Sequence, residues 1–261
     1  MSSVSLTMRD SSTMLRRNLL HARRYPSLTL NLLLTPVMLL LLFVYIFGDA
    51  MSAGIGGGDR SDYIAYIVPG ILLMTIGSTT IGTAVSVSTD MTEGIIARFR
   101  TMAIHRQSVL IGHVAGSVLQ CVMSVVLVGA VGVAIGFRST DATAMEWLAA
   151  FGLLALFALA LTWIAVGMGL VSPNAEAASN NAMPLIFLPL ISSAFVPVDA
   201  MPGWFRPIAE YQPFTPAIET LRGLLLGTEI GHNGWLAVGW CLGLTVLGYR
   251  WSKAQFDRDA K

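Results

Sequence analysis

The chain has almost no lysine: Lys253 and Lys261, both near its end, are the two it carries. A phosphate-gripping loop of the form GxxxxGK[ST] needs a lysine behind its glycines. No such loop can be written here, so the chain is not itself a P-loop ATPase and no enzymatic role is expected of it. Cysteine is as scarce. Cys121 and Cys241 both fall in apolar runs, which gives neither a disulfide framework nor a metal site; they read as small buried hydrophobes. His105 and His113 stand eight apart and belong to no HExxH-like cluster, so no metal centre is expected. No serine, histidine and acid arrangement points to a hydrolase. Charge is the third shortage, at 12% of residues. Within the long apolar runs the acidic and histidine side chains are His113 and Glu176 alone, both near run ends. Carriers driven by protons or sodium need acidic or histidine relays inside the bilayer. Work done by this chain is therefore expected to be powered from outside the membrane.

What the chain has instead is hydrocarbon, at 54% hydrophobic residues. About 20 apolar residues cross the roughly 30 Å core of a bilayer, and such runs recur. The expected fold is an all-α membrane protein with six transmembrane helices, near 29–47, 64–89, 107–136, 147–171, 175–197 and 234–250. Arginine and lysine divide twelve to four between alternate connecting segments. The four are Arg60, Arg138, Arg206 and Arg222, on the side read as outside. By the positive-inside bias both termini then face the cytoplasm. The net charge of +1 gives no reason to expect a nucleic-acid partner.

Residues 12–25 read as an amphipathic helix lying on the inner leaflet, with Leu15, Leu19 and Ala22 on one face. Arg16, Arg17, Arg23 and Arg24 surround the other, facing membrane lipid. The run from Leu28 to Phe47 is too long for the apolar region of a cleaved signal peptide. Gly54–Gly58 has no strand before it and reads as a flexible turn. The span 64–89 is rich in hydroxyls: Thr75, Thr79 and Thr83 share a face, with Ser78 and Ser86 beside them. They suit either close helix packing or a weakly polar substrate path. Gly112/Gly116, Gly132/Gly136 and Gly239/Gly243 are further packing signals. Pro184, Pro189 and Pro197 remove helical hydrogen bonds, so the span 175–197 is expected to be bent or broken. In 198–233, Thr215-Pro216 starts a helix and Gly227 stops it, about 16 Å long and too short to cross. Glu219 and Arg222 can pair along it. This region is expected to be a re-entrant helical hairpin at the outer leaflet, with Glu219 and Arg222 accessible and Leu221 and Leu225 protected.

The segment 90–106 is the longest charged interruption in the first half. Ile95, Ile96, Phe99 and Met102 recur at helical spacing beside Arg98, Arg100, His105 and Arg106. Apolar knobs with a basic rim suit a handle gripped by a cytoplasmic partner better than a plain connector. Together with spans that lack their own energy coupling, this points to a transport pore driven by a separate ATPase.

The chain resembles permeases of the type-2 ABC exporter family, in particular the daunorubicin-resistance-like branch. The resemblance rests on Glu93-Gly94, Ile95, Arg98, Phe99, Arg100 and Thr101-Met102-Ala103, where Ala103 stands in place of the family's usual proline. It rests also on Met201-Pro-Gly-Trp204, on Gln212-Pro213-Phe214-Thr215-Pro216, and on Leu221-Arg222-Gly223. Gln212 takes the place of the usual asparagine. The resemblance implies one transmembrane domain over 1–261, in a homodimer or heterodimer of permeases in a bacterial cell membrane. It implies a cytoplasmic ATPase subunit that binds ATP and magnesium; this chain would carry no cofactor. It further implies 90–106 as the coupling helix, and Pro213, Phe214, Pro216, Leu221 and Arg222 at an outer gate. A hydrophobic or amphipathic cargo such as a drug, lipid or glycolipid fits the uncharged spans. The alternatives are a polysaccharide exporter, an ATP-independent carrier or channel, a lipid-modifying membrane enzyme, and a sensor or scaffold.

Overall fold

A computed structural model describes residues 26–46, 48, 60–93, 106–139 and 142–258, with the backbone alone for 26–33 and 106–109. The expected interface helix 12–25 and most of the handle, 94–105, lie outside the described residues. Among the described residues every regular element is helical. The long helices are α1 (Pro26–Tyr45), α2 (Arg60–Thr92), α3 (Arg106–Ala134) and α4 (Ala144–Val171). Four short ones follow: α5 (Ala175–Ala182), α6 (Pro184–Leu190), α7 (Arg206–Tyr211) and α8 (Phe214–Leu226). The last is α9 (Asn233–Arg258).

Three of these, α2, α3 from Leu110 onward, and α4, are long and apolar enough to cross a membrane. Among the described residues three of the six expected spans meet this measure, and a shorter apolar stretch, Leu34–Tyr45, lies in α1. The expected break in 175–197 is present. Its apolar run is divided into α5 and α6, and turns follow from Ile191 to Val196. Pro184 sits in the first turn of α6, where its missing N–H costs nothing, and Pro189 lies near its end.

Local chemistry sets the helix ends. Thr143 and Glu146 form a reciprocal capping box at the start of α4: the Glu146 N–H donates to Thr143 Oγ1 at 3.3 Å, and its carboxylate accepts the Thr143 N–H at 2.6 Å. At the far end of α8, Gly227 adopts φ 70°, the left-handed conformation that stops a helix.

The bundle is organised around α2, which packs against α1, α3, α4, α5, α6 and α8. Its apolar window is 83% buried, against 33% for α3 and 61% for α4. At 1.5 Å per residue its 33 residues span about 50 Å, well beyond the hydrocarbon thickness. Glycine lets neighbours touch its backbone. A Cβ on Gly77 would lie 2.5 Å from the Leu185 carbonyl oxygen, and one on Gly169 of α4 would lie 2.5 Å from that of Ala84. The expected Gly239/Gly243 packing pair is not used in this way. A Cβ on either would meet nothing within 4 Å, because both face away from the rest of the chain.

Candidate functional site

The break after α6 creates a chemical problem that organises one end of the molecule. Its backbone has lost helical partners beside a bilayer, where an unsatisfied polar group is expensive. Side chains from the break itself and from other elements fill the gap. Gln212 Nε2 donates to the Leu188 carbonyl at 3.3 Å. Ser192 Oγ donates to the Pro189 carbonyl at 2.5 Å and accepts the Ala194 N–H at 3.1 Å. Thr215 Oγ1, on α8, accepts the Ser193 N–H at 3.2 Å.

The Ser193 carbonyl takes two donors, Tyr66 Oη at 2.9 Å and Arg222 Nη2 at 3.2 Å. Arg222 is 7% exposed. The same Nη2 donates to the Tyr66 carbonyl at 3.1 Å, Nη1 pairs with Glu219 at 2.6 Å, and the guanidinium lies 3.9 Å from the Tyr66 ring centroid. One residue of α8 thereby ties α2 to the broken segment. The Glu219–Arg222 pairing is as expected, but the accessibility of Arg222 is not. The position faces inward because α8 is buried along most of its length, with Phe214, Ile218 and Leu221 fully buried. Phe214 meets Phe157 of α4 edge to face at 4.9 Å, Pro216 is buried in the first turn, and Pro213 caps the helix. All five expected gate residues therefore lie at or within α8.

The hydroxyl face of α2 is directed into the helix itself. Thr75, Ser78 and Thr79 are buried and donate to the carbonyls of Ile71, Met74 and Thr75 at 2.7, 3.0 and 2.9 Å. Thr79 Oγ1 also lies 2.9 Å from Cys121 Sγ on α3. Thr83 is buried and Ser86 exposed. A cavity of about 190 Å³ lies beside this face, lined by Ile76, Cys121, Val122, Val125, Phe151, Leu154, Ala155 and Ala158. Its walls are apolar, and Thr79 stands against one of them, Cys121.

The opposite end of α2 holds a second polar contact. Asp90 and His113 are both buried, and His113 Nε2 lies 3.0 Å from Asp90 Oδ2. Glu93 is exposed just past the helix end, Arg106 opens α3, and Gly94, Ile95, Arg98, Phe99, Arg100, Met102, Ala103 and His105 lie outside the described residues. Arg16, Arg17, Arg23 and Arg24 do so as well. Sequence reasoning passed over Tyr66, Ser193 and Asp90. The first two act through contacts remote in sequence, and Asp90 reads as the start of a charged segment until His113 is folded against it.

A long-helix bundle with its charges paired in the interior and apolar helices outside is a multi-pass membrane protein. The chain belongs to the ABC-2 type transporter family, whose pattern matches residues 10–226. It is 29% identical over 220 residues to the daunorubicin resistance ABC transporter permease protein DrrB1 of Streptomyces coeruleorubidus, covering 83% of this chain and 75% of that one. DrrC of Mycobacterium tuberculosis, named for doxorubicin resistance, is 24% identical over 197 residues, 70% of this chain and 69% of its own. Nodulation protein J of Rhizobium meliloti is 24% identical over 212 residues, 73% of each chain. The chain is thus an ABC transporter permease subunit, a class that works with an ABC ATPase subunit.

Proposed function

We propose that the chain is the membrane subunit of an ATP-driven exporter that moves a hydrophobic or amphipathic compound, of the drug or lipid kind, out across a bacterial cell membrane. Two permease copies, alike or different, would enclose the route, and ATP and magnesium would bind the cytoplasmic ATPase subunits. The observation that carries the reading is the course of α2. One helix runs from the Arg222 contact to the Asp90–His113 contact and ends at Thr92. Motion delivered to that end of α2 reaches the other end without crossing a loop. The acidic, basic and histidine side chains buried among the described residues, Asp90, His113 and Arg222, are all held in pairs within the chain. That suits transport powered by a partner better than an ion relay. The relatives named for daunorubicin and doxorubicin resistance support an amphipathic cargo class.

In this reading Glu93 to Arg106 is the handle, its apolar residues seated in the ATPase subunit and its charges setting register. Arg16, Arg17, Arg23 and Arg24 would hold the amino-terminal helix at the anionic inner leaflet, each contributing about 1 kcal/mol at low salt. The test is co-purification of the ATPase subunit together with ATP-dependent doxorubicin accumulation in inverted vesicles. Phe99→Ala should weaken subunit binding more than Arg106→Ala. Normal binding and normal transport in both Phe99→Ala and Glu93→Ala, with the protein correctly inserted, would overturn the reading.

A further inference from the structure

The buried Asp90–His113 contact has no part in the reading above beyond its place at the end of α2, and its surroundings show what it does. Asp90 lies two residues before the last residue of α2, and His113 lies two turns into α3. Between them the chain leaves one helix, passes through 94–105 and returns on the other. The contact is enclosed by a small apolar cluster separate from the main core, with Val87 one turn before Asp90 and Leu110 and Val114 flanking His113. Phe256 of α9 closes the cluster from the carboxyl-terminal side.

Apolar contacts alone hold two helices together without choosing among neighbouring registers, because one methyl group packs much like another. A hydrogen bond to a carboxylate in a low-dielectric surround does choose, since a slip of one residue breaks the bond and leaves the imidazole buried away from its acceptor. The imidazole Nε2–H can donate to the carboxylate in either charge state of the ring, so the contact does not need a protonated histidine. From this end α2 is tied onward. Ser88 Oγ donates to the Ser172 carbonyl at 3.4 Å, and Asn181 Nδ2 of α5 donates to Ser172 Oγ at 2.9 Å.

We propose that the Asp90–His113 contact is a positioning clamp that fixes the register of α2 against α3, so that force arriving between them moves both helices as one body. The inference rests on the coupling reading of the preceding section. His113 and Asp90 touch neither cargo nor nucleotide; they act through the helices they hold.

The test uses the full complex of permease and ATPase subunit in proteoliposomes, with doxorubicin as the probe. His113→Leu and Asp90→Leu remove the contact and keep apolar bulk. His113→Gln keeps an amide donor at about the reach of the ring nitrogen. In the leucine variants, ATPase subunit binding and ATP hydrolysis should stay within about twofold of the parent while doxorubicin moved per ATP falls about tenfold. His113→Gln should recover most of the ratio. A purely structural role would lower the amount of inserted protein and leave the ratio unchanged, and that result overturns the clamp. A second arm places spin labels at positions 92 and 108 of a chain whose Cys121 and Cys241 are replaced by alanine. The distance distribution should widen at least twofold in His113→Leu and stay narrow in His113→Gln; equal widths overturn the clamp. This arm needs no transport. A parent that binds no ATPase subunit and moves no doxorubicin therefore refutes the coupling reading while the label distances still decide the clamp.

Discussion

Replacing Arg222 by leucine removes one ion pair at 2.6 Å, two bonds to backbone carbonyls at 3.1 and 3.2 Å, and the ring contact with Tyr66 at 3.9 Å. Hydrogen bonds from a charged donor contribute about 1.5–3 kcal/mol each, and a desolvated cation over an aromatic ring about 2 kcal/mol. These gains are opposed by the cost of burying the guanidinium, several kcal/mol in a low-dielectric site. The Glu219 carboxylate is 32% exposed, so its share of the pairing is screened and must be discounted. Tyr66 Oη still serves the Ser193 carbonyl after the change. The expected net loss is about 3 kcal/mol, or roughly 150-fold in the equilibrium between the joined and separated end of α8. Arg222→Lys keeps the charge but loses the planar fork, and should lose about half as much. Equilibrium unfolding in mixed SDS and detergent micelles, followed by tryptophan fluorescence, measures both. A value for Arg222→Leu within about 0.5 kcal/mol of the parent would refute the claim that this residue holds the break together. In a double-mutant cycle, Glu219→Gln should cost little once Arg222 is gone.

Other substitutions separate the contacts that matter from those that do not. Gly77→Ala drives a Cβ to 2.5 Å from the Leu185 carbonyl oxygen and should lower stability by about 1–3 kcal/mol. Gly239→Ala and Gly243→Ala, facing open space, should leave the same unfolding midpoint unchanged, and a large shift there would reveal packing outside this chain. Thr79→Val removes a hydroxyl bonded to its own helix and to Cys121, so unfolding should move by less than about 1 kcal/mol. Loss of doxorubicin transport in that variant at normal stability would instead place Thr79 on the substrate route. Single cysteines along α8 should label from the aqueous side at Glu219 and resist at Leu221, Arg222 and Leu225; uniform labelling would show an unfolded loop.

The elements that announced themselves in sequence did so through local chemistry. Thr215-Pro216 and Gly227 mark a helix realised as Phe214–Leu226 with a left-handed glycine behind it, because caps act within a few residues. Three prolines mark the broken helix for the same reason. What the sequence could not show was who repairs the break. Arg222 reads as an exposed partner of Glu219, since an i, i+3 pair is visible and a carbonyl 29 residues away is not. One glycine signal failed similarly. Gly239 and Gly243 have the favoured spacing and face open space, whereas Gly132 lies against Val68 of α2, and closer approaches are made at glycines such as Gly77 and Gly169, whose partners come from other helices. Asp90 reads as the start of the charged segment 90–106, and only the return of α3 alongside α2 brings His113 to it.

The repair of the break after α6 also constrains how the protein is made. The Ser193 carbonyl accepts from Tyr66, which was synthesised 127 residues earlier, and from Arg222, which follows 29 residues later. Its N–H waits for Thr215, 22 residues on. At about 5–20 residues per second, the ribosome takes roughly 1.5–6 s to add the 29 residues up to Arg222. During that interval the break exists without Gln212, Thr215 and Arg222, and water or the insertion machinery must satisfy the backbone groups they serve. A nascent chain halted before Thr215 should therefore keep this segment accessible to aqueous reagents, and one halted well beyond Arg222 should not. Biosynthesis would then proceed in a set order, with α2 in place first and the break sealed last.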